Sequence, residues 1–189
     1  MAMADIIIRQ ETVADAAAIN VVNISAFEGE AEAKLVTALR QSRDFIPDLS
    51  LVADIDGRVV GHILLSRIHL QYAENDVAVL ALAPMAVVPS QSHRGIGSAL
   101  VRAAITKASS MGERAIMVIG RPAFYAKFDF AGIAQWEMRH SLPVPTEAVQ
   151  ALELLRGGIT PGGVIDYSHS LVQFFQPGSG AGLLTRHPE

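Results

Sequence analysis

Met85-Ala86-Val87-Val88-Pro89-Ser90-Gln91-Ser92-His93-Arg94-Gly95-Ile96-Gly97-Ser98-Ala99-Leu100 is the stretch that decides the fold of this chain. Its first residues close a nearly unbroken apolar run from Val77 to Val88, the pattern of a strand buried on both faces. Pro84 interrupts that run. Lacking an N–H, it cannot donate to a ladder, and it predicts a bulge or split inside the strand. Pro89-Ser90-Gln91 turn the chain sharply. Leu100, Ala104, Ile105 and Ala108 then recur at helical spacing, predicting a helix over Ser98 to Ser109 with Gly112 as its stop. Between strand and helix, Gly95 and Gly97 let backbone N–H groups approach an anion without obstruction by Cβ. The helix start adds partial positive charge. The segment reads as a pyrophosphate cradle, although G-x-G alone is equally the mark of a tight turn that binds nothing. Two common nucleotide sites do not fit. A Rossmann turn wants Gly or Ala where Leu100 stands, and no Gly-Lys-Ser/Thr of a Walker A loop occurs.

Upstream, Ile6-Ile7-Ile8 form a β-branched run, and Thr12 with Asp15 resembles a helix-opening pattern. Val13, Ala17, Asn20, Val21, Ile24 and Phe27 give one helical apolar stripe up to Gly29. A second helix follows, in which Leu35, Val36 and Leu39 share a face with Glu28 and Glu32, while Glu30 and Lys34 pair across one turn elsewhere. Ser50–Ile55 and Arg58–Leu65 flank Asp56-Gly57, a strong signal for a two-residue hairpin. Downstream, Ala115–Ile119 reads as a strand and Pro122–Phe128 as a compact aromatic segment. Ile133–His140 reads as a strand, and Val149–Leu155 as strand or helix. The order is β-α-α-β-β-β-α-β-α-β-β, an α/β (α+β) mixed sheet with helices on its faces.

Half of the 189 residues are hydrophobic, enough for one sizeable core. With 15 Lys+Arg against 19 Asp+Glu there is no basic surplus to grip a phosphate backbone, so nucleic acid is not an expected partner. No apolar run reaches the ~18 residues that span a bilayer, so no membrane association is expected. The start carries no basic region ahead of an apolar one, and a cytoplasmic protein is the expectation. Cysteine is absent, which removes disulfides, zinc-thiolate sites and a Cys nucleophile. His140, His169 and His187 lack the short spacings of a metal site, so no metal is assigned.

The string Ser92-His93-Arg94-Gly95-Ile96-Gly97 resembles the acyl-CoA signature R/Q-x-x-G-x-G/A of the GCN5-related N-acetyltransferases (GNAT), departing at Ser92. Gly61-His62-Ile63-Leu64-Leu65-Ser66 and Gly120-Arg121-Pro122-Ala123-Phe124-Tyr125-Ala126-Lys127-Phe128-Asp129-Phe130 are similar to segments of a small predicted-acetyltransferase subgroup. The second departs at Asp129, where Gly is usual. The resemblance implies a single GNAT domain over residues 1–175 with a bulged central strand, followed by a flexible tail over 176–189. It also implies acetyl-CoA as co-substrate, with transfer to a small-molecule or protein amine and no metal. A homodimer is common among such proteins, and the resemblance admits one here.

By the same resemblance, backbone amides of Met85, Ala86 and Val87 would run along pantetheine, one of them as oxyanion donor. His93, Arg94, Gly95, Ile96, Gly97 and Ser98 would hold the pyrophosphate. Tyr125 matches the acid that protonates the leaving thiolate. Glu32, aligned with an apolar stripe, is the candidate general base, with Glu28 a weaker version of the same idea. His62 and Ser66 point the same way from one strand; for His62 a satisfied core histidine is the commoner reading against a base. Arg94, Arg102 and Lys127 are candidates for the phosphate charges of CoA or for plain surface charge. The rival function is a non-catalytic acyl-CoA sensor of the same fold.

Overall fold

The computed structural model describes residues 5–180. Strand β1 (Ile6–Gln10) leads into helices α1 (Ala16–Phe27) and α2 (Ala31–Arg40), followed by β2 (Phe45–Ile55), β3 (Arg58–Gln71) and β4 (Asp76–Val87). Helix α3 (Ile96–Ser110), β5 (Ala115–Ile119) and the short α4 (Pro122–Tyr125) come next. The chain ends with β6 (Ala131–Gly132), β7 (Arg139–His140), β8 (Val149–Glu153), β9 (Val164–Asp166) and α5 (His169–Phe174). The sheet runs β1-β2-β3-β4-β5-β8-β6, with β9 pairing both β3 and β7. This is the mixed α/β architecture expected.

Asp56 and Gly57, at φ 52° and 77°, form the β2–β3 turn, and the Asp54 carboxylate accepts the Gly57 N–H at 2.8 Å. Two apolar layers cover the sheet. Ile19, Val36 and Leu39 pack with Leu64, Ala83 and Ala86 on the face of α1 and α2. Leu100 and Val101 of α3 pack with Ile63, Leu65, Phe124 and Tyr125 on the other. Gly61 makes that second layer possible: a Cβ there would lie 3.0 Å from Leu100 and 3.2 Å from Ile96, so α3 can sit directly on β3.

Pro84 acts as the sequence implied. Ile63 faces Met85 and Leu65 faces Leu82, so two β3 steps oppose three on β4, which is a bulge at Ala83-Pro84. The Val88 N–H donates to Val60 at 2.9 Å. By antiparallel alternation, the Ala86–His62 pair is also hydrogen-bonded, and Pro84 falls where a donor to Leu64 would be required. The other edge of β4 pairs in parallel with β5 only at Leu80, Ala81 and Leu82. Beyond Leu82 the two strands part.

Four expectations need correction. Of the stripe Val13-Ala17-Asn20-Val21-Ile24-Phe27 only Phe27 is buried: Val13 is 97 % and Val21 63 % exposed, and the inward face of α1 carries Ile19, Val22 and Asn23 with Phe27. Ile133–His140 is not a strand but a 3-10 turn over Ile133–Trp136, a left-handed Glu137 at φ 53°, and the two-residue β7. Helix α3 starts at Ile96 rather than Ser98. Strand β9 and helix α5 were missed altogether. Of the tail, residues 176–180 turn back with Ser179 N–H donating to Gln176, and 181–189 lie outside the described residues.

Candidate functional site

The bulge and the glycine turn delimit one slot. Since Ala86 spends its backbone groups on β3, alternation directs the N–H and C=O of Met85 and Val87 into the gap between β4 and β5. At the far end, His93 and Gly95 adopt left-handed conformations, φ 62° and 77°, which fold the chain tightly onto the start of α3. The Gly95 carbonyl accepts the Ala99 N–H, so the first-turn amides of Ile96, Gly97 and Ser98 have no carbonyl behind them within the helix. Space around Gly95 is open, with nothing within 4 Å of where a Cβ would stand. Arg94 lies exposed and bonds Gln91 within the same turn.

Tyr125 is buried at the end of α4, its ring edge-on to Phe124 at 5.0 Å and to Phe130 at 5.5 Å. Burial raises its phenol above the ordinary value of 10.0, so it stays protonated at neutral pH. Pro122 at the first helical position starts this turn and Asp129, in the left-handed region at φ 65°, ends it. That backbone explains why Gly is favoured there and why Asp, tolerant of the region, can replace it. Arg102 stands over Phe128 at 5.2 Å and Lys127 over Phe124 at 5.3 Å, so both candidate phosphate cations rest on rings of this cluster.

Glu32 is fully buried on α2, whereas Glu28 is exposed at the left-handed end of α1. Glu30 and Lys34 form the expected pair, 2.9 Å apart.

His62 proves to be a satisfied core residue. Asn23 Nδ2 lies 3.4 Å from His62 Nδ1, and His62 Nε2 lies 3.0 Å from Ser50 Oγ. The Ser50 hydroxyl donates to Glu11 at 2.5 Å, and Arg40 grips Glu11 through two bonds of 2.8 and 2.9 Å. The chain closes consistently with the proton on Nε2 and Nδ1 accepting. Sequence reading missed this network because its members are 12 to 39 residues apart. Burial pushes the Glu11 carboxyl upward, but bonds from His62, Arg40 and Ser50 outweigh it and hold it at about 2. Burial dominates at His62 and pushes its ring below the usual 6.5 despite Glu11 nearby.

Both shifts make acid destabilising. The unfolded His62 takes up a proton near 6.5 and the folded one does not, so its contribution is full above that pH and declines below it. Glu11, depressed in the fold, adds a second loss as pH falls from its ordinary 4.5 toward 2. Calorimetric melting across pH is expected to show a Tm flat above 7, falling below 6.5 and more steeply below 4.5. A His62→Gln variant should lack the first decline; a curve unchanged from wild type would sink the assignment.

At the apex of the slot, where β4 and β5 part, a narrow apolar cleft is lined by Ala81, Ala83, Met117, Ile119, Tyr167 and Leu171, among others. Among the described residues no group of three or more His, Asp or Glu is placed to hold a metal, and no helix is long and apolar enough to cross a membrane.

A mixed sheet whose central strand bulges away from its parallel neighbour, above a glycine turn that opens a helix, defines an acyl-CoA acyltransferase architecture. A sequence model of the acetyltransferase (GNAT) family matches residues 19–130, and the chain belongs to that family of N-acetyltransferases. It is 31 % identical over 172 residues to the uncharacterized N-acetyltransferase YhbS of Escherichia coli K12, spanning 89 % of this chain and 99 % of YhbS. It is 34 % identical over 116 residues to the uncharacterized N-acetyltransferase YjhQ of the same strain, covering 61 % of this chain and 64 % of YjhQ. The crystal structure of E. coli YhbS in complex with CoA superposes with TM-score 0.82 and 28 % identity, over 90 % of this chain and 94 % of that one. A Brucella melitensis GNAT acetyltransferase in complex with acetyl-CoA gives 0.73 and 28 %, over 89 % and 99 %. These relatives do not favour the sensor reading.

Proposed function

We propose that the protein transfers an acetyl group from acetyl-CoA to a primary amine by direct attack, without a covalent acyl-enzyme. The observation that carries this reading is the slot itself, running from the Pro84 bulge to the turn at His93–Ser98. Its chemistry fits the two ends of the donor. Convergent first-turn amides of α3 suit a pyrophosphate, and the slot-facing amides of Met85 and Val87 suit an extended amide-bearing arm. Strand rise is about 3.3 Å per residue, so the five steps from Val88 to Ala83 span roughly 17 Å between turn and apex.

In the reaction the amine nitrogen attacks the thioester carbonyl carbon. A slot-facing backbone N–H meets the oxygen that becomes negative. As the C–S bond breaks, the Tyr125 hydroxyl gives its proton to the departing sulfur, while the proton lost by the amine passes to Glu32. No Ser stands in a G-x-S-x-G elbow, consistent with direct attack. The family's amine chemistry leaves small molecules and protein amines alike as acceptors; the acidic balance of 19 against 15 leans mildly toward a cationic one.

Calorimetric titration with acetyl-CoA and with CoA tests the donor site. Wild type is expected to bind both at micromolar Kd, and Gly97→Glu, which sets a carboxylate among the amides, to weaken both by at least about 10²-fold. Binding that survives Gly97→Glu would place the donor elsewhere and remove this reading.

A further inference from the structure

The chain has three tyrosines. Tyr72 is bonded in full, donating to the Thr160 carbonyl at 2.8 Å and accepting the Thr160 N–H at 3.2 Å. Tyr125 sits in the aromatic cluster on the α3 face. Tyr167 is different. Its residue is 7 % exposed, its hydroxyl is wholly shielded, and it makes no hydrogen bond among the described residues. A buried hydroxyl without a partner costs stability, and such a group calls for an explanation.

Its position supplies one. Tyr167 lines the narrow cleft at the point where β4 and β5 separate, facing Ala81 and Ala83 on β4 and Met117 and Ile119 on β5. These four side chains carry no hydrogen-bonding side-chain group except the weak thioether of Met117, so the phenol is the strong polar group the cleft offers from its side chains. Tyr167 is anchored on both sides along the chain. The residue before it, Asp166, pairs with His69 in the main sheet, and the residue after it, Ser168, opens α5, whose Leu171 lines the same cleft.

We propose that the Tyr167 hydroxyl is the side-chain donor to the carbonyl oxygen of the bound acyl group, so that the cleft distinguishes the thioester from the free thiol. The inference rests on the acyl-CoA reading above. The slot-facing amides approach that oxygen from β4, and the phenol approaches from the C-terminal segment across the gap. The group stays neutral, since burial moves its ionisation well above the physiological range. It can therefore donate without adding charge to the cleft.

The test needs no acceptor. Acetyl-CoA and CoA are titrated into wild type and into Tyr167→Phe. Wild type is expected to bind acetyl-CoA about tenfold more tightly than CoA, and Tyr167→Phe to bring the ratio near one while leaving the Kd for CoA unchanged. Its Tm should be equal to or above that of wild type, because the substitution removes an unpartnered hydroxyl. A purely structural tyrosine would leave the ratio untouched, and that result overturns the proposal, as does a wild-type ratio of one. Infrared difference spectra of wild type with acetyl-CoA labelled by ¹³C at the carbonyl provide a reading independent of the variant. The band is expected to move to lower frequency on binding, and an unmoved band is equally fatal. Failure of CoA itself to bind, or its binding undisturbed by Gly97→Glu, marks instead the collapse of the donor-site reading, and Tyr167's role falls with it.

Discussion

Tyr125→Phe is expected to reduce acetyl transfer by about 10²- to 10⁴-fold, with the Kd for acetyl-CoA held within about twofold. The thiolate of CoA leaves poorly unless it is protonated as the C–S bond breaks, and Tyr125 is a phenol kept protonated by burial. Removing one oxygen leaves the edge-on contacts with Phe124 and Phe130 in place, so the loss falls on kcat and not on folding. Thiol release measured with an amine panel checks this, and unchanged turnover with any accepted amine removes the acid role. In the same assay Glu32→Gln should erase the acidic limb of the pH–rate profile, because an amide cannot take the amine's proton.

The second large effect concerns stability. Glu11→Ala is expected to cost about 3 kcal/mol or more, seen as a lower urea midpoint with an unchanged m-value. Glu11 accepts four contacts at once: two from Arg40, one from Ser50, and one from His62 at 3.4 Å. Its removal strands a guanidinium whose side chain is 19 % exposed and leaves the Ser50 hydroxyl, in a fully buried residue, without its acceptor. Glu11→Gln should lose less, since it keeps an oxygen for Ser50 while giving up the charge that Arg40 pairs. Equal stability of Glu11→Ala and wild type would show the network to be energetically idle.

Features governed by local chemistry were legible in the sequence. A two-residue hairpin at Asp56-Gly57 needs positive φ at both positions, and Pro84 cannot donate; each fact constrains the backbone whatever surrounds it. The stripe of α1 failed for a physical reason. Ala-Ala-Ala-Ile-Asn-Val-Val-Asn-Ile-Ser-Ala-Phe carries no charge, so its period fits more than one face, and the inward one carries Ile19, Val22, Asn23 and Phe27. Strand β9 has three residues and exists because β3 and β7 receive it, with pairings such as Leu70 with Ile165 that no local pattern encodes. Tyr167 depends on that strand, and so the cleft could not be read from the chain alone. The glycine turn was legible as a string; that Met85 and Val87 face the gap while Ala86 pairs with β3 needed the register.

The short pairing of β4 with β5 also bears on how the molecule breathes. Three Cα-paired positions join a half-sheet of β1 to β4 to another of β5, β8 and β6. Such a seam is the natural place for sub-global opening, in which one side loosens while the other keeps its amide protection. A molecule lying along the seam touches both halves and favours the closed form by mass action, whatever chemistry follows. Occupancy of the slot and cohesion of the sheet are in this way a single equilibrium viewed from two ends.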